Sequence, residues 1–250
     1  MNLYASLEAE LHDAFWEAEE SPEFGWLDAL LREHPGRSLE VGSGSGRLLL
    51  PLLKNGHEIE GLEPSPDMNS LCRAKAAILG LNPTLHECAM GDFTTGHTFR
   101  SILIPAFTLQ LSQDPEADLR RLHRQLEPNG ILYLTVFIPF AELDGELPEN
   151  EWYEDHTLQL ADGSVATVET RHRLDRGNQI LHREHRYRVV SESETREHRS
   201  EQTLRWFDAR RLREQLRLAG FEADRAVGDF DESCPVTEDS QILTVVARRI

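Results

Sequence analysis

The sequence predicts an α/β fold: a mixed, mostly parallel sheet with helices on both faces, carrying an antiparallel β insert late in the chain. Three observations lead there. Short apolar strands alternate with helical patterns between Ser38 and Pro139, in a βαβαβ order. The first of those strands runs straight into a glycine-rich turn. After residue 165, three strand-like runs follow one another with turn-forming residues between them.

The first element is Ser38-Leu39-Glu40-Val41, followed by Gly42-Ser43-Gly44-Ser45-Gly46-Arg47 and the apolar run Leu48-Leu49-Leu50. Glycines 42, 44 and 46 let the backbone approach a ligand and adopt φ > 0. A helix opening directly after them would aim its unpaired N–H groups at the turn. This is the pattern of a nucleotide-type cofactor site. The dinucleotide fingerprint G-x-G-x-x-G fits Gly42 and Gly44, but its third position falls on Arg47, where glycine is needed for close helix–strand packing. An NAD-dependent oxidoreductase is therefore the weaker reading. What stands here is an acid, a spacer and G-x-G-x-G, and a pyrophosphate would not welcome Glu40.

The second strand, His57 to Glu63, ends on an acid able to accept both ribose hydroxyl protons. Pro64-Ser65-Pro66-Asp67-Met68 turns into a helix, with Met68 either an adenine wall or plain core. Leu85 to Phe93 reads as a third strand ending in Gly91-Asp92-Phe93. Ile102 to Phe107, including Pro105, reads as the fourth strand and the loop after it. Asp118 to Leu126 is helical, with Leu119, Leu122 and Leu126 on one stripe, and Glu127-Pro128-Asn129-Gly130 leads into the strand Ile131 to Pro139. Asn129 tolerates the left-handed conformation. Leu212 to Ala219 is a last helix, followed by strands at Phe221 and at Gln241 to Arg248.

Three of these features, in this order and at these intervals, resemble the class I S-adenosylmethionine (SAM) dependent methyltransferases: Glu40 with the glycine turn, Glu63, and Gly91-Asp92. The passage Leu126-Glu127-Pro128-Asn129-Gly130 into strand five is similar as well. The resemblance covers residues 36–140 well and 203–249 moderately. It implies a Rossmann-like seven-stranded mixed sheet with its last strand antiparallel, SAM as cofactor and S-adenosylhomocysteine (SAH) as product. It places Glu40, Gly42, Ser43, Gly44 and Gly46 at the methionine end, Glu63 at the ribose, and Asp92 with its neighbours Gly91 and Phe93 at the adenine; Pro64, Met68 and Pro105 are further cofactor-binding candidates. Tyr4, Trp16 and Arg47 are weaker candidates. The insert resembles those of small-molecule N-methyltransferases acting on glycine or amino sugars. Residues 1–35 are then a helical cap, 36–140 the cofactor core, 141–205 an insert on the substrate side or at a homodimer face, and 206–250 the close of the core.

The formal net charge of −18 disfavours nucleic acid and anionic membranes as partners. Lys54 and Lys75 are the only lysines, a composition that suits a salty cytoplasm. No apolar run approaches the roughly 18 residues of a membrane span, and the N-terminus lacks the basic and apolar regions of a signal peptide. Cys72, Cys88 and Cys234 have neither metal nor disulfide spacing, so no metal is expected and the chain is read as cytoplasmic.

Residues 141–165 look loop-rich, and the strand-like runs are Ala166 to Leu174, Gln179 to Val190 and Arg196 to Phe207. Residues 166–205 hold nine arginines against seven acids, against the trend of the chain. They suit either a wall for a carboxylate-bearing substrate or, in the plainer reading, cross-strand ion pairs. His182 and His185 should face opposite sides of a strand, which argues against zinc. In residues 1–35, Leu7, Leu11, Phe15 and Trp16 mark an amphipathic face.

Methyl transfer from a sulfonium needs alignment and exclusion of water more than acid–base help. Tyr153, His156, His182 and His185 are the base candidates if one is required. No Asp-Pro-Pro-Tyr or Asn-Pro-Pro-Tyr run follows strand four, which argues against a DNA amino-methylating enzyme. A small-molecule methyltransferase is the leading reading; a non-catalytic SAM-binding regulatory module is the other that stays open.

Overall fold

The computed structural model describes residues 4–16, 22–231 and 233–250, with only the backbone at Trp16 and Pro22. The chain divides into two compact units, residues 21–138 with 207–250, and residues 139–206 with the N-terminal segment up to residue 20.

The larger unit is built on a seven-stranded sheet. In chain order its elements are α2 (Pro22–Glu33), β1 (Ser38–Val41), α3 (Leu49–Lys54), β2 (Ile59–Leu62), α4 (Pro66–Leu79), β3 (Leu85–His86), β4 (Phe99–Ile104), a 3-10 turn over Thr108–Leu111, α5 (Pro115–Gln125), β5 (Leu126–Phe137), α7 (Ala209–Leu218), β10 (Phe221–Gly228) and β11 (Ile242–Arg249). The strand order is β10-β11-β5-β4-β1-β2-β3. β1 to β5 are parallel, and β11 runs antiparallel to both β5 and β10. The expected seven-stranded mixed sheet is there.

Two apolar clusters cover the two faces of this sheet. One joins Leu39, Val41, Ile102, Leu132 and Leu134 to Leu119, Leu122, Leu212 and Leu216. The other joins Ile59, Leu103, Ile131 and Tyr133 to Leu27, Leu30, Leu31, Leu49 and Leu52. The stripe on α5 is fully buried, as its period predicts. Asn129 takes φ 58°, so it does replace a left-handed glycine ahead of Gly130.

Two local readings are corrected. β3 is only two residues long, and Gly91 and Asp92 lie in a turn beyond it. Glu63 N–H donating to the His86 carbonyl is the last rung, because the Glu63 carbonyl then accepts from Asn69 Nδ2 and the Ser65 N–H turns back to the Glu63 side chain. The helix after the glycine turn starts at Leu49, once the chain has left Gly46 at φ 89°. Residues 141–165 contain α6 (Phe140–Leu143) and a strand, β6 (Tyr153–Gln159), which alternation alone did not reveal.

The smaller unit is a four-stranded antiparallel sheet in the order β6-β7-β8-β9, with β7 (Val165–Asp175), β8 (Ile180–Val190) and β9 (Thr195–Arg205). α1 (Leu7–Trp16) packs Leu7, Leu11 and Phe15 on Ala166, Val168, Tyr187 and Val189. The outer face pairs Glu169 with Arg186, Arg171 with Glu184 and Arg188 with Glu197 in direct register. The plainer reading of the arginines, cross-strand ion pairs, describes this face.

Candidate active site

β1 has β2 on one side and β4 on the other, and the chain departs in opposite directions from these two neighbours. A doubly wound sheet opens a crevice at such a switch point, outside the carboxyl ends of its strands. The glycine turn leaves β1 there. Gly42 and Ser43 both donate their N–H to the Leu62 carbonyl, at 2.7 and 3.2 Å. A Cβ on Gly42 would lie 2.5 Å from the Thr108 side chain, so glycine is what lets the turn meet the segment after β4. Met68, 2 % exposed, lies under Gly44, with Cε 3.3 Å from where a Cβ would be.

Glu63 stands at the end of β2. Its Oε2 accepts the Gly44 N–H at 3.1 Å and its Oε1 the Ser65 N–H at 2.8 Å, which ties the acid to the glycine turn. Ser65 caps α4 through its hydroxyl, which accepts the Met68 N–H. Pro64 is half-buried and Pro105, at the end of β4, is buried.

Glu40 is buried at the end of β1, and its Oε2 has no hydrogen-bond partner; the hydroxyl of Ser43 is buried and unpartnered as well. Burial raises the Glu40 carboxyl well above the ordinary range; Arg47 opposes that, and the Glu23 and Glu63 carboxylates add to it. Buried polar atoms without partners at a turn of this kind fit a ligand that supplies them. A cationic group suits Glu40.

Sequence reasoning missed Glu23. It lies in the first turn of α2, where an acid is ordinary helix chemistry, so no local pattern distinguished it. Its Oε1 accepts the Ala106 N–H at 3.2 Å, the Tyr133 hydroxyl at 3.2 Å and the Thr135 hydroxyl at 3.0 Å, and its Oε2 is 3.7 Å from Arg47. Burial raises its carboxyl, against the pull of Arg47 and those donors. The anchored segment carries two consecutive non-glycine residues in the left-handed region, Ala106 at φ 48° and Phe107 at φ 63°. Such strain persists only where the surroundings hold it.

Of the adenine-side candidates, Asp92 is exposed and Gly91 lies against Asp118, which would meet a Cβ at 2.7 Å. Phe93 is 1 % exposed and packs edge-on to His86 and tilted on Phe99, within the core beside this turn. The short β3 turns the chain inward before Phe93.

The base candidates all lie in the smaller unit. His185, on the inner face, is held at Nδ1 by Thr170 Oγ1 (2.9 Å), whose hydroxyl donates to Asp155 Oδ2 (2.7 Å). This chain puts the proton on Nδ1 and leaves Nε2 an acceptor. Burial depresses His185 to about 4. Tyr153 is half-buried, and burial pushes its hydroxyl up to about 12. His156 stacks on Phe15, and His182 faces outward beside Thr203. His182 and His185 do point to opposite faces. The Tyr4 hydroxyl accepts from Gln202 Nε2 within the same unit, while the Trp16 side chain lies outside the described residues.

Comparison with known proteins agrees with this architecture. The model of the methyltransferase domain family matches residues 15–226. The chain belongs to that family. The protein YqeM of Bacillus subtilis (strain 168), named provisionally as a methyltransferase, is 23 % identical over 229 residues, 87 % of this chain and 85 % of that one. An S-adenosylmethionine-dependent methyltransferase from Clostridium acetobutylicum ATCC 824 superposes with a TM-score of 0.79 at 13 % identity, covering 96 % of this chain and 97 % of the other. The sugar N-methyltransferase KedS8 from Streptoalloteichus sp ATCC 53650 gives 0.75 at 20 % identity, covering 100 % and 94 %. The SAM-bound amino pentose methyltransferase CalS10 from Micromonospora echinaspora gives 0.71 at 21 %, covering 100 % and 99 %.

Proposed function

We propose that this protein transfers a methyl group from SAM to a small, amine-bearing acceptor. The observation that carries the reading is the pairing of Glu63 with the Gly44 N–H at the switch point, beside a buried and unpartnered Glu40, in a chain of the methyltransferase domain family. When bound, SAM supplies a methyl group already activated on a sulfonium.

Each residue then has a task. Glu63 uses its remaining lone pairs to accept the ribose hydroxyls, with its orientation set by Gly44 and Ser65. Gly42, Ser43, Gly44 and Gly46 line the methionine portion, and Glu40 faces its cationic end. Asp92 accepts from the adenine amino group, with Gly91, Pro64, Met68 and Pro105 shaping the space around the nucleoside. Arg47 balances the acids. The net charge of −18 speaks against a phosphate-backbone substrate. The two amino-sugar enzymes among the structural relatives support an amine acceptor.

The four-stranded unit is assigned to acceptor recognition. An amine can shed its proton to solvent, so no strong base is required. A histidine near 4 and a tyrosine near 12 are suited to accept and to donate hydrogen bonds at neutral pH, and His185 and Tyr153 take those roles. The three thiols, none in a disulfide, support a reducing, cytoplasmic setting.

Calorimetric titration with SAH, with NAD⁺ as control, tests the cofactor. Micromolar binding of SAH and none of NAD⁺ is expected; NAD⁺ binding alone overturns the reading. Turnover against a panel of amines then separates an enzyme from a module that binds without reacting. Asp92→Ala should weaken SAH binding by about 0.5–1.5 kcal/mol, the net worth of one hydrogen bond made by an exposed acid. Unchanged affinity would remove Asp92 from the site.

A further inference from the structure

Glu23 and Glu63 lie close enough to Glu40 to raise its proton affinity, and the three acids are not equivalent. Glu63 accepts two backbone N–H groups. Glu23 accepts three donors on one oxygen and faces Arg47 with the other. Each has hydrogen-bond donors on a carboxylate oxygen. Glu40 is 2 % exposed, no donor reaches its Oε2, and Arg47 is the cation among the described residues that acts on it. A buried carboxylate so placed takes up a proton unless a cation arrives.

We propose that Glu40 carries a proton while the site holds no ligand, and that the ammonium group at the amino-acid end of the cofactor takes that proton's place. The inference rests on the cofactor reading above. The O–H bond of the Glu40 carboxyl breaks, its electron pair stays on oxygen, and the proton leaves to solvent. The ammonium keeps its three hydrogens and donates one to the new carboxylate. The groups facing Glu40 are Arg47 from the turn, Glu23 from α2 and Glu63 from the end of β2. Tyr133 on β5 bonds to Glu23, and burial and that carboxylate hold its hydroxyl protonated far above neutrality. Among the described residues of this cluster, Glu40 is the acid with an unpartnered buried carboxylate oxygen. The arrangement makes affinity depend on the cofactor's amino-acid end, and a bare nucleoside does not trigger the exchange.

Calorimetry on the whole chain tests this with two ligands, SAH and 5′-methylthioadenosine, which lacks the amino-acid end. Titrations run between pH 5 and pH 8 in buffers of different ionisation enthalpy. SAH affinity should climb by up to about tenfold per pH unit on the acid side, with up to about one proton released per ligand. 5′-Methylthioadenosine affinity should stay flat, and Glu40→Gln should flatten the SAH profile. SAH binding without proton release, or with the same slope for 5′-methylthioadenosine or for Glu40→Gln, overturns the inference and leaves the cofactor reading standing. No SAH binding at all overturns both. If Glu40→Gln does not fold, the two ligands on the unaltered protein decide.

Discussion

At the scale of single residues, the site depends on close approach and on charge. Gly42→Ala would force a Cβ to 2.5 Å from Thr108 at φ +75°. We expect a loss of about 1–3 kcal/mol in denaturant unfolding, from crowding and backbone strain together. His172 offers the opposite case. It is 1 % exposed, and both its ring nitrogens lack partners. Burial lowers its affinity for a proton, so it is neutral and still unsatisfied. His172→Phe should stabilise the chain by about 1 kcal/mol or more, because an apolar ring removes an unpaired polar group; chemical denaturation would read it. Glu40 and Glu63 were legible as site residues because each ends a strand beside a motif. Glu23 was not, because its role comes from Tyr133 and Thr135, more than a hundred residues along the chain.

At the scale of elements, the hydrogen-bonded row across β6, β7 and β8 links Asp155, Thr170 and His185. His185 is buried with a folded value of about 4 against an ordinary 6.5. The unfolded chain therefore binds its proton first as pH falls. The stability conferred by the neutral ring is complete above about pH 6.5 and is lost between there and about pH 4, a total near 3 kcal/mol. His185→Gln should remove that contribution to the pH slope, which urea unfolding at pH 7, 5.5 and 4.5 would show. The buried acids Glu8, Glu23 and Glu40 act with the opposite sign, since their raised values favour the folded state as pH falls, so the comparison of variant with parent is what isolates His185. Alternation made β7 and β8 readable in the sequence, since buried and exposed positions alternate along much of them. β6 hid because it is a bulged edge strand whose two faces are both largely polar.

At the scale of the whole molecule, the charge of −18 is carried with few compensating lysines. Acid–acid repulsion should oppose folding at low ionic strength and be screened by salt. The melting temperature should rise between low and molar KCl. A fall would mean that the ion pairs of the antiparallel sheet outweigh the general repulsion. Among the described residues no helix is long and apolar enough to cross a membrane.

The sequence by itself determined the order of elements, the glycine turn, the acid at the end of β2 and the division between a parallel sheet and an antiparallel insert. Those follow from local periodicity, from backbone freedom at glycine and from the chemistry of short motifs, none of which needs a distant partner. Only the tertiary structure decided that β3 stops after two residues, that Phe93 is core, and that Glu23 joins Glu40 around Arg47. These depend on which backbone lies alongside and which side chains meet across elements, and burial then sets which carboxyl keeps its proton.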